Sequence, residues 1–600
     1  MLKKMIGIFF VVLMFCLSSS RSYSSCGYTY NPDKPYPPPV VSSASGYEEQ
    51  FNEIPTPMTI ISPKMIKNIG AKNLKDVLIT YVPGMTYVQD HNEVNVAGRG
   101  IYTSSQQKML IMLNGHRLNS RSFSGANPDY SISLDKIECI EVLRAPVSSL
   151  YGNAALTAVI NIITNSLGKK GTERKETQIN VSVGNYGQRK LSVIHRDDFN
   201  NEKRDLLVWG TYYQSDGENV NVPAEEDYSR EPKDSHAILD GFNEPASYDV
   251  GINYELGDFT LLANQRASKY TEPFSSGGDV TGESYNNSDY RKIRDQGPGQ
   301  LQKFSHLGLD YNKGLDKGLN LQFQLYYDLY EHNSHKIVEP TQDKHNFLAW
   351  NEQAYGLLAQ LNGSYTIDSN KSIWMVGIQE DRMTVEDSEL LTRTGSEWAS
   401  FFDDNGYKVL DTGRERISSV FAQIKHRFSG EWIGNFGMRF DRKKRHQGET
   451  LDEISPRLAL IWVPKDNFDV KLSYSKAFMD APHWYRYSAL PSYVGSKSLK
   501  PEYMDSYQLT PTIKLANGKV INSLNFFYNK FSDFIWRNNN VFPQYQNAGF
   551  LKVWGIENEI LYFGGDDVYN IAFNFTIKKW MTYFCLIQVF VGITSGKVSS

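Results

Sequence analysis

Two textures divide the chain. From about Glu176 onward, apolar and polar residues alternate with a period of two. Ile179, Val181 and Val183 are separated by Asn180 and Ser182; Leu319, Leu321, Phe323, Leu325 and Tyr327 by Asn320, Gln322, Gln324 and Tyr326; Phe468, Val470, Leu472 and Tyr474 by Asp469, Lys471 and Ser473. Successive side chains of a strand point to opposite faces, so this period predicts strands with one apolar and one polar face. A soluble sandwich shows the same alternation in shorter strands, of about five or six residues. Short polar turns at 200–202, 256–258, 429–430, 464–467 and 516–518 alternate with long irregular stretches near 215–246, 270–302, 331–352, 384–415 and 478–503. Short connections on one side and long ones on the other are the pattern of a transmembrane β-barrel. Counted this way, residues 176–577 hold roughly 17 strands.

Residues 46–164 read as a compact mixed α/β unit instead. Ser62-Pro63 is a helix start, a capping residue followed by proline at the first helical position, with Met65, Ile66 and Ile69 on one face. Asn73 caps a second helix through Leu74, Val77, Leu78 and Tyr81, which Pro83-Gly84 stops. Short β-type runs follow at 94–96, 109–113 and 159–163.

At the N-terminus, Lys3 and Lys4 precede an apolar run from Met5 to Leu17 and then Ser18, Ser19 and Ser20. That is the layout of a secretory signal, assigned here to residues 1–25. The apolar run is too short to span a bilayer comfortably. A Pro-rich tether follows at 26–50.

Composition narrows the function. The chain of 600 residues is 13% aromatic and 22% charged, with mean hydropathy −0.45. A barrel apolar on one face only averages out in this way. A net charge of −4 without a basic domain sets nucleic-acid binding aside. Cys16, Cys26, Cys139 and Cys585 are far apart with no CxxC spacing, so no disulfide framework or zinc site is expected. No Ser-His-Asp or paired-carboxylate spacing is visible, so an enzyme is not expected.

The α/β unit carries a resemblance. Glu53-Ile54-Pro55, Met58-Thr59-Ile60-Ile61, Leu74-Lys75-Asp76-Val77-Leu78 and Val82-Pro83-Gly84-Met85 resemble the opening of the plug domain of TonB-dependent outer-membrane receptors. Val96-Ala97-Gly98-Arg99-Gly100 and Leu113-Asn114-Gly115-His116-Arg117-Leu118-Asn119 follow in the family's order. So does the signature Ile137-Glu138-Cys139-Ile140-Glu141-Val142-Leu143-Arg144-Ala145-Pro146, with Ser149-Leu150-Tyr151-Gly152 and Val159-Ile160-Asn161-Ile162-Ile163-Thr164. Leu499-Lys500-Pro501-Glu502 and Asn547-Ala548-Gly549 with Gly555-Ile556-Glu557 are looser matches in the second half. Asn114 stands for the family's usual Asp, and Ala145 for its usual Gly.

The resemblance implies a large antiparallel transmembrane β-barrel, of 22 strands in the family and about 17–18 here, occluded by the N-terminal α/β plug at 51–168. The barrel is assigned to 175–577. It implies a monomer in outer-membrane lipid that imports a scarce nutrient. A ferric siderophore is the first expectation, with cobalamin, haem or another metal chelate behind it and no resident cofactor or metal. The inner-membrane partner is TonB, expected to grip Val40, Val41, Ser42, Ser43 and Ala44, a segment that must be extended and free to add a strand to a partner sheet. Ligand contact is expected at the plug apex and loops: Gln89, His91, Tyr102, Ser104, Gln106 and Arg121, with Trp484, Tyr485 and Arg486. Arg99, Gly100, Gly115, Glu141, Arg144, Gly152 and Asn161 are expected to be structural, Glu141 and Arg144 seating the plug against the wall.

Some constellations have bland alternatives. The stretch Glu331-His332-Asn333-Ser334-His335 with Asp343-Lys344-His345 suits a metal or haem contact, but a solvated polar loop accounts for it equally. Asp403-Asp404-Asn405-Gly406 lacks the rest of a calcium loop. His483 to Tyr487 fits an anionic aromatic ligand or an aromatic girdle. Residues 578–600 form an atypical tail with room for one more strand. The count therefore predicts a frameshifted or prematurely stopped receptor, or a shorter barrel closed by rearrangement. A passive porin or adhesive barrel is the alternative class, disfavoured by the signature at 137–164.

Overall fold

The computed structural model describes residues 40–595, except 42, 44–45, 48, 91–92, 104–105, 154, 165–174, 200–203, 223–236, 243–245, 272–297, 340–342, 369, 396, 403–407, 492, 539, 564–568 and 581–583. Among them, one antiparallel sheet of 19 strands dominates, each long strand paired with its neighbour in sequence. It begins with Lys175–Val183 and Arg189–Asp197 and ends with Tyr569–Trp580 and Phe584–Ser595. Glu397–Ser400 is a short extension paired only with the outer end of Asn370–Thr394. The remaining strands form the meander of about 17–18 that the alternation implied. The tail supplies the last of them, so the sheet runs on past residue 577. Among the described residues, no pairing joins the first strand to the last.

The strand Trp432–Lys444 shows how alternation becomes a wall. Ile433, Asn435, Arg439 and Asp441 are buried toward the lumen, while Phe436, Met438 and Phe440 face outward. An outward apolar face costs nothing against hydrocarbon, and among the inward polar groups Arg439 donates to the Leu150 carbonyl of the plug and to Asp441 beside it on the wall.

Two predicted loops are strands. Asn320–Glu339 and Lys344–Ile367 pair without interruption, apart from one irregularity, out to Glu339 opposite Lys344. Asn370–Thr394 likewise consumes much of the predicted loop at 384–415. In these outer ends apolar residues stand side by side, Ile337 next to Val338 and Phe347 next to Leu348, all buried, so the period-two signal disappears although the backbone pairing continues.

The plug holds a five-stranded sheet in the order Met58–Ile61, Cys139–Leu143, Ala158–Ile163, Met109–Leu113, His116–Arg117. Only the pairing of Met109–Leu113 with Ala158–Ile163 is parallel. Ile61, Ile111, Ile140, Val142, Ile160 and Ile162 pack on one face against Leu74, Val77 and Leu78 of the helix Leu74–Tyr81. Ile60, Leu110, Leu143 and Val159 pack on the other against Val41, Ile54 and Met58. Both predicted caps are present: Ser62 Oγ accepts the Met65 N–H at 3.3 Å and Asn73 Oδ1 the Asp76 N–H at 3.1 Å. Contrary to the cysteine spacing, Cys139 is disulfide-bonded. The other three cysteines lie outside the residues whose side chains are described, and a bond between distant positions leaves no local signature.

Candidate functional site

The N-terminal segment is held against the base of the plug. Val40–Val41 pairs antiparallel with Glu49–Gln50, and Val41 is buried beside Ile54 and Met58. The Ser43 N–H donates to Glu141 Oε2 at 3.0 Å, Asn161 Nδ2 donates to Ser43 Oγ at 2.9 Å, and the Tyr151 hydroxyl donates to the Ser43 carbonyl at 2.8 Å. Burial pushes the Tyr151 phenol above its ordinary range, which keeps it a donor. Expected to be free, the segment is docked here, because a valine and a fully partnered serine are cheaper to bury than to leave in water. Ser42 and Ala44 lie outside the described residues.

Signature residues divide between this segment and the wall. Arg144 reaches the wall, its NH1 3.1 Å from Glu557 and its NH2 3.1 Å from Glu559. Arg99 Nε is 2.8 Å from Glu557, and Thr59 Oγ1 donates to Glu559. The Glu141 carboxylate takes the Ser43 N–H of the N-terminal segment. Asn161 serves two neighbours, since its Oδ1 also accepts the Gly115 N–H at 3.0 Å. Gly100, Gly115 and Gly152 all have positive φ. At Gly152 a Cβ would come within 3.0 Å of the Arg439 guanidinium, which donates to the Leu150 carbonyl. Further around the wall, Lys108 pairs with Glu502 and Lys136 with Asp249 at 2.6 Å. Burial pulls the Lys136 ammonium down while Asp249 pushes it back up.

At the apex, Arg121–Phe123 is clamped from two directions. Glu352 on the wall accepts the N–H groups of Arg121 and Ser122 at 2.7 Å each and the Ser122 hydroxyl at 2.6 Å. Arg121 NH1 lies 2.7 Å from Asp328. From above, the one-turn helix His483–Tyr487 folds inward, its Trp484 N–H donating to the Ser122 carbonyl at 3.0 Å. Trp484 stacks on Trp350 at 5.1 Å, Trp350 stacks on His332 at 3.9 Å, and Phe123 meets all three rings near 6 Å. Tyr485 stacks on Tyr545 at 4.3 Å and donates to Gln107 Oε1 at 2.6 Å. Burial pushes its phenol well up.

Of the residues expected to meet ligand, Arg121, Trp484 and Tyr485 therefore come together. Arg486 does not join them: its guanidinium is spent on the carbonyls of Leu499 and Lys497 at 2.9 and 2.7 Å. Gln106 turns back onto the N–H and carbonyl of Val96. Tyr102 is half-buried beyond the strand Glu93–Gly98. Gln89 lies on the strand Met85–Asp90, its side chain not described, and His91 and Ser104 lie outside the described residues. Phe123 lies in the apex loop 120–129 expected to meet ligand, whereas Trp350, Tyr545 and Glu352 were not foreseen, since a single aromatic or acid on a strand carries no local mark of what it faces. Among the described residues, no group of three or more His, Cys, Asp or Glu side chains converges as a metal cage.

An α/β plug pinned inside an antiparallel barrel, with its N-terminal segment at the base and loops folded over its apex, defines a plugged receptor of the outer membrane. The TonB-dependent receptor plug domain matches residues 50–159, and the TonB-dependent receptor-like β-barrel matches 241–584. The chain belongs to the TonB-dependent receptor family. Among curated relatives, the vitamin B12 transporter BtuB of Vibrio cholerae is 24% identical over 78% of this chain and 67% of its own length. The iron-regulated outer membrane virulence protein of the same species is 23% identical over 83% and 69%. Among solved structures, the pyoverdine outer membrane receptor FpvA of Pseudomonas aeruginosa superposes with a TM-score of 0.68 at 15% identity, over 95% of this chain and 84% of that one. The siderophore receptor PirA of Acinetobacter baumannii gives 0.64 at 16%, over 87% and 80%.

Proposed function

We propose that this chain imports a metal chelate across the outer membrane at the expense of TonB, a ferric siderophore first, with residues 40–44 as the segment TonB grips. The observation that carries the reading is the position of Asn161. It bonds Ser43 on one side and Gly115 on the other, and Gly115 opens the turn that leads to Arg121–Phe123 at the apex. A ligand that displaces the aromatic cover there shifts a loop joined, through this turn, to the residue holding the N-terminal segment. Release of that segment exposes a strand-forming edge to the periplasmic partner. Glu557 and Glu559 keep the plug seated meanwhile. An iron-regulated relative supports the siderophore reading. The likeness to BtuB supports cobalamin as the second.

The test is uptake in cells lacking other receptors, with iron-55 loaded on a panel of hydroxamate and catecholate siderophores and with labelled cobalamin, each with and without TonB. Saturable, TonB-requiring accumulation of a ferric siderophore is expected. Accumulation of cobalamin alone moves the assignment to the second reading, and non-saturable flux without TonB replaces both with passive diffusion.

A further inference from the structure

In the histidine-rich stretch, the described residues 331–339 and 344–345 are strand rather than loop, and His332, His335 and His345 are buried. The stretch forms the outer end of the hairpin Asn320–Glu339 and Lys344–Ile367, and its histidines go to two places. His332 stacks on Trp350 at the plug apex. His335 and His345 face each other instead. His335 stands opposite Phe347 and His345 opposite Ile337, which makes the two histidines diagonal neighbours within reach. His335 Nε2 lies 2.9 Å from His345 Nδ1, with the ring centroids 5.2 Å apart. Each residue is 1% exposed. Trp398, on the strand Glu397–Ser400, meets both rings edge-on at 5.8 and 6.1 Å.

Behind His345 stands an orienting shell. Its Nε2 is 2.6 Å from Asp343 Oδ1, and Arg393 holds the other Asp343 oxygen at 2.8 Å. Asp343 adopts φ 49, a left-handed conformation that aspartate tolerates better than most residues. The carboxylate takes the Nε2–H of His345, which fixes the tautomer and leaves Nδ1 as a lone pair aimed at His335. A carboxylate behind the ring, with the other nitrogen presented in front, is how proteins orient an imidazole for a metal ion. Here the position between the two nitrogens is held by one proton, on His335 Nε2.

We propose that His335 and His345 form a binding site for a late first-row divalent metal ion such as copper, nickel or zinc, with Asp343 and Arg393 as its orienting shell. Two imidazoles at about 2.0–2.1 Å from one tetrahedral ion place their nitrogens about 3.4 Å apart. Replacing the proton therefore asks the hairpin to open by about half an ångström. The proton moves to His335 Nδ1, so both rings stay neutral and no charge is lost from the protein. Water fills the remaining positions, reached from the side of Asp343, whose side chain is 46% exposed. A site with two protein ligands binds reversibly, and its preference follows the order in which copper exceeds nickel and zinc.

The experiment is calorimetric titration of the detergent-solubilised receptor with copper, nickel and zinc chlorides. The wild type is compared with a His335→Gln, His345→Gln double variant, because the other histidines contribute a background. One additional equivalent is expected in the wild type and is lost in the double variant. Asp343→Asn, on an exposed side chain that leaves the hairpin intact, weakens the site about tenfold or more without abolishing it. His332→Ala retains it. Copper quenches part of the tryptophan emission, and Trp398→Phe removes that part. Equal stoichiometry in the wild type and the double variant overturns the site. An Asp343→Asn variant with unchanged affinity overturns the orienting shell.

Discussion

Glu557 is where the seating of the plug is most exposed to a single change. Its carboxylate is completely buried and takes Arg99 at 2.8 and 3.0 Å, Arg144 at 3.1 Å and the Asn525 amide at 3.0 Å. Glu559 takes only Arg144 and Thr59. Glu557→Gln keeps the volume but leaves the Arg99 guanidinium buried with no anion in contact, and Arg144 with one. Removing one partner of a buried pair costs about 3–5 kcal/mol, because the remaining charge stays desolvated. Glu559→Gln leaves Arg144 paired with Glu557, so a smaller loss of about 1.5–3 kcal/mol is expected, the range for a hydrogen bond to a charged group. All ten tryptophans lie after residue 200, outside the plug. Three of them touch it: Trp209 beneath Lys136, and Trp350 and Trp484 around Ser122. Their emission reports plug departure from the barrel. With a urea slope of about 2 kcal/mol/M for a unit of this size, Glu557→Gln lowers the plug midpoint by about 1.5–2.5 M and Glu559→Gln by about 0.7–1.5 M. Equal shifts for the two variants, or none, would refute the claim that the two glutamates are unequal partners.

Gly152→Ala places a Cβ at φ 63 and ψ −139, against the Arg439 guanidinium. A loss of about 2–4 kcal/mol is expected in the same titration; a neutral result would mean that the turn relaxes freely. Asn161→Ala removes one of three bonds to Ser43 and frees the Gly115 N–H. The purified receptor should then bind the periplasmic domain of TonB about tenfold more tightly without ligand, for roughly 1.4 kcal/mol of lost docking; unchanged affinity in surface plasmon resonance would show that docking does not restrain the segment. Glu352→Ala bares the N–H groups of Arg121 and Ser122. Trypsin cleavage after Arg121 should accelerate about tenfold or more, for the 1–3 kcal/mol of an unsatisfied buried donor; an unchanged rate on gels would leave Glu352 as a bystander.

What could be read from the residues, and what could not, follows the range of the forces involved. The caps at Ser62 and Asn73 were legible because each acts three residues away. The strands between the membrane faces were legible because lipid enforces one apolar face, and they fell silent at 331–352, where Ile337 and Val338, and Phe347 and Leu348, are buried side by side. The plug signature was legible as a pattern, yet its partners were not. Arg144 finds Glu557 and Glu559 more than 400 residues later, and nothing local distinguishes it from Glu141, three residues earlier, which turns to Ser43 instead.

The same limit explains the apex. His483 to Tyr487 looked like a surface for ligand because aromatic and cationic residues cluster there. The fold uses that cluster against the plug: Trp484 caps Ser122, Tyr485 holds Gln107, and Arg486 closes its own loop. On the import proposed above, a ligand arriving at this apex meets a site already filled by the protein's own aromatic rings and by the Glu352 carboxylate, so it competes for contacts rather than occupying an open cleft. Competition of that kind couples arrival at the apex to movement of Arg121–Phe123, since the same atoms cannot serve both. It also sets a requirement on such a ligand: to displace Trp484 it must match what the loop gives now, a donor to the Ser122 carbonyl and a flat apolar face against Trp350, and to displace Glu352 it must supply an acceptor for the N–H groups of Arg121 and Ser122.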